Sequence, residues 1–164
     1  MTPNDLVLTP RGVRFWGRYF PCSIGKGGLT STKQEGDGAT PRGTHHVVGL
    51  LYRADRMARP SSWAEPIGKE DLWSDESGDT AYNQWVRAPY GASHERLHRS
   101  DPLYDLILVL DWNWPQATPG AGSAIFMHQW RRPGYCTEGC IAFSRSNLRW
   151  IAARATPGTR VIVR

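Results

Sequence analysis

Residues 122–148 read GSAIFMHQWRRPGYCTEGCIAFSRSNL, and this stretch decides how the rest of the chain is arranged. Ala124 to Met127 is an apolar strand that delivers a histidine, His128. A loop with Arg131, Arg132 and Pro133 follows. Thr137-Glu138-Gly139-Cys140 then runs straight into a second apolar segment, Ile141-Ala142-Phe143. A histidine at one strand end and a Gly-Cys at the entrance of the next are what a thiol nucleophile and its base require. The thiolate is the reactive form and a free cysteine titrates near about 8.5, so a neighbouring group must help to remove the proton. The two residues are 12 positions apart, enough for one strand end to turn and come back beside the other. Residue types alone also allow a blander reading, an inert buried cysteine and an unrelated histidine.

Working outward from this stretch, Ser144 or Ser146 can cap a helix. Leu148, Ile151, Ala152 and Ala155 recur at i, i+3, i+4 and i+7, one apolar stripe. Thr156-Pro157-Gly158 stops that helix and Arg160 to Val163 makes a last strand. On the other side, Leu103 to Trp112 (LYDLILVLDW) is the clearest strand of the chain. It is apolar nearly throughout and is therefore expected at the centre of a sheet, covered on both faces. Residues 53–103 are rich in turn signals, with Trp63, Trp73, Tyr82 and Trp85 set among Asp71, Asp75, Asp79 and Asn83. The aromatics argue against disorder. The segment reads as a cap-like insertion folding over one face, with a short helix around Ser93 to His98.

Further back, His45 to Tyr52 is a strand. Its two adjacent histidines face opposite sides, which makes them a poor metal clamp. Gly25 to Gly43 is a glycine-rich loop carrying Lys33, Glu35 and Asp37; it has no Gly-Lys-Ser/Thr opening a helix and so is no phosphate loop. Its polar content suits a loop brought to an active site. Leu6 to Leu8, Val13 to Trp16 and Arg18 to Ile24 form a meander of short strands, with Pro21 marking an edge and Cys22 in the core. The expected fold is mainly β, a single domain over 1–164 with one late helix.

Composition fits that picture. Hydrophobic residues make up 40% and charged residues 21%, the balance of a globular protein, and 17 Gly with 12 Pro imply many turns. The net charge of +5 comes mostly from arginine and is compatible with nucleic acid, a membrane surface or an anionic polymer as partner. No recognition helix or RNA-binding aromatic motif appears, so nucleic acid is not the expected partner. Three cysteines, Cys22, Cys136 and Cys140, make no disulfide framework. A zinc site from His128, Cys136 and Cys140 lacks a fourth ligand, and neither metal nor cofactor is expected. No basic leader and no long apolar run is visible, so neither a signal peptide nor a membrane span is expected.

His128, Thr137-x-Gly139-Cys140 and Ile141 resemble the signature of the YkuD-type L,D-transpeptidases, a His, a spacer, then Ser/Thr-His-Gly-Cys and an apolar residue. Thr40-Pro41-Arg42-Gly43-Thr44 is similar to the Thr-Pro-x-Gly turn of that family. The resemblance runs from about Leu6 to Val163. It implies a β-sandwich-like domain that attacks the L,D bond of a peptidoglycan stem peptide and passes the acyl group to an amine, in the periplasm or at the cell wall. It implies Cys140 as nucleophile, His128 as base, and the amides of Glu138 to Cys140, Gly139 among them, as oxyanion donors; a base in that role needs its other ring nitrogen held, and the carbonyl of Gln129, the next residue, is the expected acceptor. Glu138 stands where the family has His, the spacer is short, and Ala142 stands where Asn or Arg is common. With Glu35-Gly36-Asp37-Gly38 and Trp73…Tyr82-Asn83, these departures resemble a divergent proteobacterial subgroup. That subgroup is associated with joining the first residue of one stem, L-alanine, to the diaminopimelate at the third position of another, a 1,3 link. An L,D-carboxypeptidase acting on stem tetrapeptides and a non-catalytic peptidoglycan-binding domain are the alternatives. The usual donor-binding arginine is absent, which leaves Arg145, Arg131 and Lys33 as candidates to hold a substrate carboxylate. Thr137, Glu35, Asp37, Tyr52, Trp73, Tyr82 and Asn83 complete the expected substrate-binding set.

Overall fold

A computed structural model describes the whole chain, residues 1–164. In chain order its strands are β1 (Leu6–Thr9), β2 (Gly12–Phe15), β3 (Arg18–Phe20), β4 (Cys22–Ser23), β5 (Leu29–Thr30), β6 (Thr40–Pro41), β7 (Gly43–Tyr52) and β8 (Glu65–Pro66). Then come β9 (Asp71–Ser74), β10 (Trp85–Arg87), β11 (His94–Arg96), β12 (Leu106–Leu110), β13 (Phe126–Gln129) and β14 (Ile141–Phe143). The single helix α1 (Arg145–Ala152) and β15 (Arg160–Val163) close the chain. The fold is mainly β with one late helix, as the sequence pattern requires. No helix is long and apolar enough to cross a membrane.

One sheet organises the molecule, in the order β3-β2-β1-β15-β7-β12-β13-β14-β4, with β8 added beside β7. The ten-residue β7 joins its halves. Its first half, Gly43 to His46, pairs with β15, and its second half, from Val47 to Tyr52, pairs with β12. Every side chain of β12 is buried, because both faces of the sheet are covered. Strand alternation sorts the residues. Leu106, Leu108, Leu110, Met127, Ile141 and Phe143 enter a core closed by Leu148, Ile151 and Ala152 of α1. Ile107, Val109, Phe126 and Cys140 enter a second core with Trp73, Leu97 and Tyr104. Burying a Leu, Ile or Phe side chain contributes about 1.5–3 kcal/mol, so the register is strongly fixed wherever both faces are apolar.

Several local expectations change in three dimensions. Residues 94–96 form a strand, not a helix: His94, Glu95 and Arg96 pair with Ser74, Trp73 and Leu72, and β9 lies between β10 and β11. Six residues of modest helix propensity lose to a partner strand and the burial of Leu97. The strand expected from Ala124 begins at Phe126, because Ala124 turns left-handed with φ 51° and gives its amide to Asn83 Oδ1 at 3.0 Å. Pro21 ends the meander after β3, and β4 crosses over to pair Cys22 and Ser23 with Phe143 and Ala142. Cys22 is therefore half-buried on an edge strand, not enclosed in the core. The glycine-rich loop contains the parallel pair β5–β6. Of the two capping candidates Ser144 caps the helix; its hydroxyl accepts the Asn147 amide at 3.3 Å.

Candidate active site

Cys140 is held by a turn that several distant residues build. The Thr137 hydroxyl donates to the Cys140 carbonyl at 2.6 Å and accepts the Gly139 amide at 3.2 Å, closing the Thr-x-Gly-Cys turn on itself. Gly139 sits at φ +141°, and a side chain there would lie 3.0 Å from the Ala39 carbonyl oxygen. Only glycine combines that backbone with that approach. Thr40, buried, donates to the Gly139 carbonyl at 2.8 Å and accepts the Gly25 amide at 2.9 Å. The Thr-Pro-x-Gly turn is thus the clamp that sets the height of the Cys140 loop. The Gly139 amide, expected as an oxyanion donor, is already spent on Thr137. Those of Glu138 and Cys140 donate to no protein acceptor.

The parallel pairing of β13 and β14 sets Met127 opposite Ile141 and His128 opposite Ala142. Cys140 is therefore level with Phe126, a two-residue step, roughly 6.6 Å, before His128 on the same face. His128 is 5% exposed, and its Nδ1 lies 2.8 Å from the Gln129 carbonyl oxygen. A carbonyl only accepts, so Nδ1 carries the proton and Nε2 is left free to accept one. Burial, with the nearby positive Arg99, pushes the imidazole down to about 4. Burial, with the negative Glu95, pushes the Cys140 thiol up to about 12. Both groups are neutral at pH 7. The thiol donates to the Ala124 carbonyl at 3.2 Å and accepts the Phe126 amide at 3.4 Å, so its proton points away from His128. Burial of both groups therefore disfavours the thiolate–imidazolium pair.

Both side chains line one cavity of about 430 Å³. Its walls are bipolar. Lys33, Arg99 and Arg131 bring positive charge; Glu35, Asp75 and Glu95 bring negative charge. Lys33 is pinned by Asp37 at 2.5 Å and Arg99 by Asp101 at 2.7 Å, while Arg131 rests on the Tyr135 ring at 5.5 Å. One carboxylate oxygen of Asp75 is buried with no hydrogen-bond partner. Residues 53–103 supply Asp75, Glu95, Arg99 and Leu103, so this segment forms one wall of the cavity.

Of the residues expected at the site, the cavity brings together Cys140, His128, Thr137, Glu138, Lys33, Glu35 and Arg131. Others stand behind it. The Tyr82 hydroxyl donates to Glu35 and accepts the Gly122 amide at 3.0 Å. The Asn83 side-chain oxygen receives Trp73 Nε1 at 2.9 Å, and Trp73 packs edge to face on Phe126 with ring centres 5.0 Å apart. Trp73, Tyr82, Asn83 and Asp37 are scaffold rather than wall. Tyr52 and Arg145 are misplaced by the sequence reading. Tyr52 shares the alternation of Leu50 and faces the core beneath α1. Arg145 begins α1, which covers the opposite face of the sheet from Cys140. Asp75, Glu95, Arg99 and Tyr104 are not expected at the site from sequence, because the short strands and turns before β12 carry no sustained periodicity that assigns their side chains to a face. No group of three or more His, Cys, Asp or Glu is placed to hold a metal ion.

A family model described as YkuD, L,D-transpeptidase catalytic domain, matches residues 6–163. No curated protein and no solved structure matches the chain.

Proposed function

The chain belongs to the YkuD L,D-transpeptidase family, and from that premise we propose that it is a cysteine acyltransferase joining peptidoglycan stem peptides through a thioester on Cys140. The observation that carries this reading is the shared face: His128, with Nδ1 fixed by Gln129, and Cys140, at the clamped end of β14, open into one cavity.

The thiol proton passes to His128 Nε2 as the sulfur attacks the scissile carbonyl. The oxygen of the tetrahedral intermediate takes hydrogen bonds from the amides of Glu138 and Cys140, which are unspent in the resting protein. His128 then protonates the departing amine, leaving the thioester. The acceptor amine attacks this thioester, its proton goes to His128, and the sulfur leaves and recovers the proton. Entry of a peptide supplies what the empty cavity lacks: it displaces the thiol from Ala124 and places a carbonyl where charge can develop.

The bipolar wall supports an acceptor that is itself zwitterionic, such as the free end of diaminopimelate, with its amine toward Glu35, Asp75 and Glu95 and its carboxylate toward Arg99, Arg131 or Lys33. On the donor side we favour transfer of the L-alanine that begins the stem, giving the 1,3 link, in line with the subgroup resemblance. Hydrolysis is the competing outcome, because Glu35, Arg131 and Cys136 at the rim are exposed and water can reach the thioester. The site of action is the periplasmic face of the cell wall, where such stems occur.

Purified protein mixed with muropeptides and analysed by product mass separates the outcomes. Dimers bonded between the first-position L-alanine and the third-position diaminopimelate support the 1,3 link. Dimers joined elsewhere retain the transferase but change the donor, and shortened monomers indicate hydrolysis. Cys140→Ala abolishes every product while leaving the fold intact; product from that variant sinks the assignment.

A further inference from the structure

The chemistry assigned to His128 needs its ring held at one angle while it gains and loses a proton. The carbonyl of Gln129 fixes one nitrogen only. Tyr104 packs edge to face against the imidazole, with ring centres 5.3 Å apart and planes at 77°, and against Phe126 at 6.1 Å. Tyr104 itself is 7% exposed and is gripped from the far side. Its hydroxyl donates to Glu95 Oε2 at 2.5 Å, and the Arg99 guanidinium lies over its ring at 5.2 Å. Leu103, one residue earlier, accepts the Gln129 amide at 3.1 Å, so the backbone that carries Tyr104 runs beside the backbone that carries His128.

We propose that Tyr104, clamped by Glu95, is a positioning residue that holds the His128 ring in its reactive orientation and keeps water from its edge, so that the wall formed by residues 53–103 completes the base. The inference rests on His128 serving as the base. The geometry has a specific logic. Glu95 comes from β11 and is paired with Trp73 of β9. The Glu95–Tyr104 hydrogen bond and the Tyr104–His128 ring contact therefore tie the three-stranded sheet to the strand of His128, alongside the packing of Trp73 on Phe126. Burial raises the Glu95 carboxyl above its ordinary range, and the tyrosine hydroxyl is the donor that a buried carboxylate needs. The charged groups around His128 are Arg99 and Asp101 from the wall, with Glu95 reached through Tyr104.

The test uses the full chain with Tyr104→Leu, Tyr104→Phe, Glu95→Ala and Glu95→Gln. It measures kcat and KM on stem peptides by product mass and, separately, the protonation midpoint of the His128 ring by NMR, assigned with His128→Gln. Tyr104→Leu is expected to lower kcat at least tenfold with KM within twofold. It should also move the His128 midpoint upward, toward the free-histidine value, as water reaches the ring. Tyr104→Phe and Glu95→Ala should each lower kcat several-fold, and Glu95→Gln, which still accepts the hydroxyl, should lose less than Glu95→Ala. A folded Tyr104→Leu with unchanged kcat overturns the inference. So does a rise in KM alone with the His128 midpoint unmoved, which would make Tyr104 a plain binding wall, and so do equal losses in the two Glu95 variants. Should Tyr104→Leu fail to fold, Tyr104→Phe decides: lower kcat at an unchanged melting temperature supports the role, and unchanged kcat removes it. A parent protein inactive on every stem peptide refutes the functional reading, while the NMR midpoint still reports whether Tyr104 governs His128.

Discussion

Replacing Thr40 by Val tests the clamp on the nucleophile loop with almost no change of shape. The hydroxyl of Thr40, a residue 1% exposed, serves two partners: it donates to the Gly139 carbonyl at 2.8 Å and accepts the Gly25 amide at 2.9 Å. Valine fills the same volume and leaves both groups without a partner. An unsatisfied buried backbone group costs about 1–3 kcal/mol, so Thr40→Val, which strands two, should lose about 2–6 kcal/mol, a large share of a typical total of about 5–15 kcal/mol. Urea unfolding measures this as a lower midpoint at constant slope. Thr40→Ser keeps the hydroxyl, gives up one methyl, and should cost only about 1 kcal/mol. Activity separates the clamp from general stability. Gly139 directly precedes the proposed nucleophile, and an error of about 1 Å at a reacting group can cost about 100-fold. The folded fraction of Thr40→Val should therefore turn over far more slowly than its population explains. A Thr40→Val protein within about 0.5 kcal/mol of the parent, with unchanged turnover, would refute the clamp.

Three further outcomes follow from the same geometry. In the resting protein at pH 8, iodoacetamide should modify the exposed Cys136 well before Cys140, whose thiol is pushed up to about 12 and is only about 1 part in 10,000 thiolate at that pH; peptide mass mapping that finds Cys140 labelled first contradicts the buried, protonated state. His128 is held down to about 4, below its unfolded value near about 6.5, so between these pH values the unfolded chain binds more protons and stability falls as pH falls. The full difference is about 3 kcal/mol, and comparing unfolding of the parent with His128→Gln from pH 7 to pH 4 should show the parent losing more; parallel curves disprove the shift. Gly139→Ala should destabilise by roughly 2 kcal/mol or more, because φ +141° is strained for alanine and its Cβ would press on Ala39 and Ile125; an unfolding midpoint equal to the parent's would show that the turn can relax.

The elements that sequence reveals well are those whose burial repeats with a period. β12 was legible because both of its faces are covered, α1 because its stripe and its Ser144 cap are local, and β15 because Thr156-Pro157-Gly158 isolates it. The geometry of the candidate site was legible where chemistry and backbone demands coincide, as in the glycine needed before Cys140 and the Gln129 carbonyl that holds His128 Nδ1. What escaped depends on partners far away in the chain. β11 is a strand only because β9 lies beside it, and β4 leaves the meander only because β14 offers an edge. Tyr52 went astray by one step of alternation: Leu51, its neighbour, faces the side of Cys140, and Tyr52 faces α1. The roles of Tyr104, Glu95 and Arg99 arise from contacts between segments, which no local pattern encodes.

The parked thiol of Cys140 has a consequence for the durability of the protein. A cysteine kept as thiolate is consumed by oxidants, passing through sulfenic to sulfinic and sulfonic acids, and the later steps are irreversible. Here the sulfur is buried, protonated and turned onto the Ala124 carbonyl, while the exposed Cys136 on the same rim meets small oxidants first. Reactivity is thereby conditional on occupancy. Under the proposed mechanism, a molecule waiting between substrates keeps its nucleophile in reduced form, and the energy that a poised thiolate would hold permanently is delivered anew by each peptide that binds.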